Sequence, residues 1–269
     1  MKLESVYAPV KREIDGVRKE LNRLISTFDF KTTKQILDHF SKMPGKFLRP
    51  ALLLLSGRAV CENPSEADLK TMVLTATGVE LIHDASLIHD DILDNDMERR
   101  GQATLNSVWG IKIALLAGDV LYSRAFGILL STLSTELLGQ VVKLNETMCA
   151  AEIEQARTLN KDLTRSEYFQ IIEGKTAAFM SLCCRLGASL AGGTAQEIES
   201  LAAFGLNFGL AYQLFDDRAD GDLGCDQVDS PIEARLHAEK AIGALVSLKL
   251  SPARHKLVEL VQHLVDSNT

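Results

Sequence analysis

Residues 83–96, HDASLIHDDILDND, hold five aspartates and two histidines in fourteen positions. Among them Asp90, Asp91 and Asp94 form a DDxxD pattern, and the pattern returns as Asp216, Asp217 and Asp220. On a helix, positions i and i+4 lie about 40° apart, so each copy turns at least two carboxylates to one face. Like charges at that spacing cost roughly 0.2–0.5 kcal/mol per pair, and more once water is removed. Something positive belongs beside them. The flanking segments VELIHDASLI and NFGLAYQLF are too apolar for helices lying wholly in solvent, which lowers the odds of a plain acidic surface. Carboxylate ligands without cysteine favour a hard cation such as Mg²⁺, which completes its shell with water and substrate phosphates.

A phosphate-bearing substrate needs basic partners, and the chain supplies them near the acidic turns. Lys46 and Arg49 occur in PGKFLRP, Arg99 and Arg100 in ERRGQAT, and Lys175 in EGKTAAF. Arginine matches phosphate with its planar fork, whereas lysine acts as a mobile point charge. Each basic residue alone reads as ordinary surface charge; their placement beside the DDxxD copies carries the argument.

The elements that must position these groups are helices. All six prolines lie at Pro9, Pro44, Pro50, Pro64, Pro231 and Pro252, so residues 65–230 are free of the strongest helix breaker. After Pro9, the residues Val10, Ile14, Val17, Leu21 and Leu24 recur with helical period. Alternating β-branched runs are scarce, and punctuation comes in segments such as MPGKFLRP and AGGTAQE, so the expected class is all-α. With 269 residues and 46% hydrophobic side chains the chain can bury a sizeable core. A net charge of −7 with no basic block argues against nucleic-acid binding. Cys61, Cys149, Cys183, Cys184 and Cys225 are odd in number and lack metal-ligand spacing, which points to a reducing cytoplasmic setting. The N-terminal residues mix charges and have no signal-like apolar core. The most lipid-like run, Ala177–Ala195, contains Arg185 and many small residues, so no membrane span is expected.

GKFLRP, HDASLIHDDILDNDMERRGQAT, LLAGDVLYSRAF, EGKTAAF and AYQLFDDRAD together resemble, in order and spacing, the motifs of the trans-isoprenyl diphosphate synthases, the polyprenyl synthetase family. The resemblance covers about residues 40–220 and implies one isoprenoid synthase-like domain over residues 1–269, a bundle of long helices around a deep cavity, usually in a homodimer. It implies three Mg²⁺ ions held by Asp90, Asp91, Asp94, Asp216 and Asp220, with Asp217 contributing indirectly. Arg99, Lys175, Thr176 and Gln213 would hold an allylic diphosphate, and Lys46, Arg49, His83 and Arg100 the second substrate, isopentenyl diphosphate. Cleavage of the allylic carbon–oxygen bond would then leave pyrophosphate, whose charge the cations stabilise, and a carbocation that an apolar cavity protects from water. No side-chain base is nominated, because the proton is expected to leave with pyrophosphate.

In the family, the residues four and five before the first aspartate project into the product tunnel. Here they are Ser86 and Ala85, both small, so the expected product is longer than the fifteen-carbon farnesyl stage. The family pattern breaks after Asp220, where DGDLGCDQVDSPIEARL replaces a lysine-bearing loop and no basic residue occurs between Arg218 and Arg235. The domain reads as shortened there, which leaves open a member that binds diphosphates without elongation. Two further readings are weaker. The His-Asp pairs of IHDAS and IHDD suggest an HD-type phosphohydrolase but leave the second DDxxD unexplained, and a class I terpene cyclase does not need the second DDxxD or the basic turn.

Overall fold

Ser65, directly after Pro64, starts a 28-residue helix, Glu66–Leu93, by accepting a hydrogen bond from the Asp68 amide at 3.2 Å. Asn95, left-handed at φ 55°, follows its end. The computed structural model describes residues 3–43, 45–158, 163–220, 228 and 230–268, with residues 3, 4 and 220 described by backbone alone. In chain order the α-helices are α1 (Leu3–Val6), α2 (Lys11–Ser26), α3 (Lys31–Ser41), α4 (Leu48–Val60), α5 (Glu66–Leu93), α6 (Leu105–Trp109), α7 (Ile111–Thr132), α8 (Thr135–Arg157), α9 (Arg165–Ile172), α10 (Ala178–Leu190), α11 (Ala195–Asp220), α12 (Ser230–Ala244) and α13 (Pro252–Asp266). The class is all-α, as the proline spacing requires. Among the described residues one feature departs from it: β1 (Glu98–Arg99) and β2 (Gln102–Ala103) pair antiparallel in a small hairpin.

The chain folds as two compact units. One comprises Arg12–Pro50 and Lys70–Leu133. Ile14, Val17 and Leu24 of α2 are buried in it, as their helical period requires, while Leu21 stays half-buried. Val10 instead belongs to a short 3₁₀ turn, Ala8–Val10. Helices α5 and α7 meet at glycines: a Cβ on Gly78 would lie 2.9 Å from the Leu129 side chain. Helix α7 is long and apolar enough to cross a membrane by length and composition, though about a third of its most apolar stretch is buried within the protein. The Ala177–Ala195 run does not form such a helix: it passes from a π-helical turn through the 13-residue α10 to the first residue of α11, and most of α10 is packed inside the protein.

The other unit comprises Met1–Lys11, Ala51–Leu69 and Ser134–Thr269. Its centre is α11, packed between α10 and α12. Phe204 and Phe208 of α11 stack with ring centroids 5.9 Å apart and, with Phe179 of α10, are fully buried. Each contributes about 1.5–3 kcal/mol by leaving water. Thr164 and Glu167 close a reciprocal cap at the start of α9. Between α9 and α10 the chain widens into one π-helical turn, Glu173–Ala177. That turn carries the lysine and threonine singled out above.

Candidate active site

Both acidic motifs stand at helix C-termini, where the partial negative charge of the helix makes a carboxylate less stable by about 0.3–1 kcal/mol. The first motif straddles the end of α5, with Asp90 and Asp91 in its last turn and Asp94 just beyond it. Asp94 is exposed, Asp90 half-buried and Asp91 only 2% exposed. Asp91 accepts a hydrogen bond from Nε of Arg99, whose guanidinium also lies 3.5 Å from Asp96. Burial holds the Asp91 carboxyl above its usual range even against the pull of Arg99. Asp91 and Arg99 therefore serve each other here, and Asp90 and Asp94 are the more exposed carboxylates of the motif.

Arg99 and Arg100 are set by the hairpin. Arg100 at φ 53° and Gly101 at φ 78° are the two residues linking β1 to β2, both left-handed as a tight two-residue turn requires. A non-glycine residue there is strained, the kind of strain that concentrates at functional sites. The hairpin is tied down by His39, which bonds the Ala103 carbonyl at 2.7 Å, and by Gln102, which donates to the Lys42 carbonyl at 3.2 Å.

The basic turn lies in the same unit. Arg49 Nη1 and His83 Nε2 are 3.0 Å apart. Since a guanidinium only donates, Nε2 is the acceptor and the neutral ring carries its proton on Nδ1. Burial first, then Arg49, Arg100 and Arg99, hold the His83 pKa well below normal. One turn before and one residue after His83 stand Glu80 and Asp84, four apart on α5. Glu80 is 4% exposed, and burial raises its pKa to about 7 against the opposing pull of Arg49 and Arg100. Burial and the neighbouring Glu80 push Asp84 well above the carboxylate range. Lys46 is exposed at the head of the basic turn, next to Phe47 at φ 52°. Ala85 is fully buried, and Ser86 is half-buried with its hydroxyl donating to the His83 carbonyl at 2.8 Å.

The second motif is organised by a different set of bonds. Asp216 is exposed near the end of α11, and the side chain of Asp220 lies outside the described residues, as do residues 221–227 where the family pattern breaks. Asp217 accepts from Tyr168 Oη at 2.6 Å and from Gln213 Nε2 at 2.6 Å. Gln213 in turn accepts from Thr176 Oγ1 at 2.7 Å. Lys175 Nζ lies 2.6 Å from Glu152 and donates to Gln155 at 2.7 Å. The π-helical turn makes this possible by close packing: a Cβ on Gly209 of α11 would fall 2.6 Å from the Ala177 backbone.

The all-oxygen donors fit Mg²⁺. Among the described residues no three His, Cys, Asp or Glu side chains converge on one point, so such an ion would draw the balance of its shell from water and phosphate. Sequence reading missed Glu80, Glu152, Gln155 and Tyr168, and met Asp84 only in the His-Asp pair of IHDAS. Glu80 and Asp84 had a detectable signal, two acids four apart inside an apolar stretch of helix; the others are distant in sequence from what they touch.

Residues 30–228 match the polyprenyl synthetase family. A short chain isoprenyl diphosphate synthase of Methanothermobacter thermautotrophicus is 33% identical over 244 residues, which cover 88% of this chain and 73% of that protein. Octaprenyl diphosphate synthase of Escherichia coli is 29% identical over 241 residues, 89% of this chain and 73% of that one. The solved structure of geranylgeranyl pyrophosphate synthetase from Pyrococcus horikoshii superimposes with a TM-score of 0.88 at 26% identity, covering 99% of each chain. The protein therefore belongs to the polyprenyl synthetase family and is a prenyl diphosphate synthase, an enzyme of prenyl transfer. Relatives of such different product lengths leave its own product to be argued from its residues.

Proposed function

We propose that the enzyme joins isopentenyl diphosphate to an allylic diphosphate and releases pyrophosphate, giving a product longer than farnesyl diphosphate. The observation that carries this reading is the bond from Thr176, beside Lys175 on the π-helical turn, to Gln213, which in turn bonds Asp217 of the second acidic motif. Three Mg²⁺ ions, held by Asp90, Asp91, Asp94, Asp216 and Asp220, would supply positive charge to the departing diphosphate. Arg99, Lys175 and Gln213 would hold the allylic diphosphate. Lys46, Arg49, Arg100 and the Nδ1 proton of His83 would hold isopentenyl diphosphate. Loss of the allylic diphosphate takes the bonding pair with it; the isopentenyl double bond then attacks the allylic carbon, and the proton released from the new chain passes to pyrophosphate.

A second copy of the chain is the proposed partner. Helix α7 leaves Ile111, Leu116 and Leu130 exposed at 57%, 58% and 66%, an apolar surface that a homodimer would cover.

Consumption of labelled isopentenyl diphosphate with geranyl diphosphate, measured with Mg²⁺ and with a chelator, tests the reading. Elongated product with Mg²⁺ alone supports it; no product in either condition defeats it. A second reading, a family member that binds diphosphates without elongation, rests on the absence of basic residues between Arg218 and Arg235. Tight diphosphate binding without product would favour it.

A further inference from the structure

Lys175 is fixed before any substrate arrives. Its Nζ lies 2.6 Å from Glu152 Oε2 and donates to Gln155 Oε1 at 2.7 Å, and the Lys175 and Glu152 side chains are 27% and 24% exposed. Glu152 and Gln155 are three apart on α8, so they present two acceptors from one face. Gly174 permits the approach, since a Cβ there would stand 2.8 Å from that of Ala151 on α8. An ammonium has three donors. Two are taken by α8, and tetrahedral geometry directs the third away from it. A free lysine loses about 2 kcal/mol of rotamer entropy when it is immobilised, and here that cost is met in folding rather than in binding.

We propose that Glu152 is a positioning residue that aims Lys175 at the allylic diphosphate and limits its net charge, so that pyrophosphate is released. The inference rests on the prenyl-transfer reading of the site. When the carbon–oxygen bond breaks, its electron pair leaves with the diphosphate, so the product anion carries one more negative charge than the bound ester. An uncompensated ammonium would therefore gain more grip on product than on substrate. Glu152 cancels that surplus while its oxygen still orients Nζ. The two roles separate by substitution, because Glu152→Gln removes the charge and keeps an acceptor, whereas Glu152→Leu removes both.

The test titrates inorganic pyrophosphate with Mg²⁺ into the full chain by calorimetry, alongside KM for geranyl diphosphate. Glu152→Gln is expected to bind pyrophosphate about three- to tenfold more tightly, the scale of one partly solvated charge interaction, and to lower KM by a smaller factor. Glu152→Leu is expected to raise KM above the Glu152→Gln value despite the same change in charge. In a Lys175→Met background, where the Glu152 carboxylate is no longer held on Nζ, Glu152→Gln is expected to tighten pyrophosphate binding by a smaller factor than in the wild type. Unchanged or weaker binding in Glu152→Gln, or tightening no smaller without Lys175 than with it, would overturn the proposal. If Glu152→Leu fails to fold, the Glu152→Gln and Lys175→Met cycle decides alone. A wild-type chain that binds pyrophosphate but elongates no primer defeats the prenyl-transfer reading while the titration still decides the role of Glu152; one that binds no pyrophosphate overturns both.

Discussion

Tyr168 donates its phenol to Oδ2 of Asp217 at 2.6 Å while Gln213 donates to Oδ1 of the same carboxylate, also at 2.6 Å. Both oxygens of the middle aspartate are thus engaged within the protein. Tyr168 lies on α9, nearly fifty residues away in sequence, and links α9 to α11. Tyr168→Phe keeps the ring and removes one hydrogen bond to a charged group, a loss of about 1.5–3 kcal/mol. A lower unfolding midpoint in urea, together with a raised Mg²⁺ requirement, is the expected result; an unchanged midpoint would show that this bond adds nothing.

Glu80 ties stability to pH. Its folded pKa, about 7, lies above the ordinary 4.5, so the folded state holds the proton more tightly. The stabilisation is complete below about pH 4.5 and is lost as pH rises through 7. Asp84, also raised, acts in the same direction. His83, depressed, acts oppositely below 6.5, so comparing wild type with Glu80→Gln isolates the carboxylate. The variant should gain roughly 1–3 kcal/mol over wild type between pH 5 and pH 8, read from urea melts. Equal shifts for both proteins would remove Glu80 from the account.

Gly209→Ala tests the π-helical turn. The added methyl would meet the Ala177 backbone at 2.6 Å, and backbone gives way less readily than a side chain. A loss of about 1–3 kcal/mol is expected, with a fall in activity larger than that of a comparable core substitution because Lys175 and Thr176 move with the turn. Wild-type activity in a destabilised variant would separate the turn from the chemistry.

Ser86→Phe addresses product length. Ser86 is half-buried one turn before the first acidic motif, with its hydroxyl folded back on His83. A phenyl group there should shorten the product, as seen by chromatography after dephosphorylation. An unchanged distribution would assign the small size of Ala85 and Ser86 to helix packing.

Much of this was legible in the residues themselves. Proline placement and the spacing of Ile14, Val17 and Leu24 gave the helices, because a helix leaves a local periodic trace. The hairpin at Arg100 and Gly101 left almost none: its strands are two residues long and its turn uses an arginine where asparagine or glycine is usual. Helix α7 was passed over as the most apolar helix in favour of Ala177–Ala195, since composition alone does not say which run is packed inside. The acidic and basic motifs were visible as clusters. Their supports were not, because Tyr168, Glu152 and Gln155 reach their partners only through the packing of α8, α9 and α11.

The most direct measurement is the chain length of the product made from labelled isopentenyl diphosphate, Mg²⁺ and either geranyl or farnesyl diphosphate. The account predicts elongation of both primers to a defined length beyond fifteen carbons. Bound diphosphates with no elongation of either primer would contradict it.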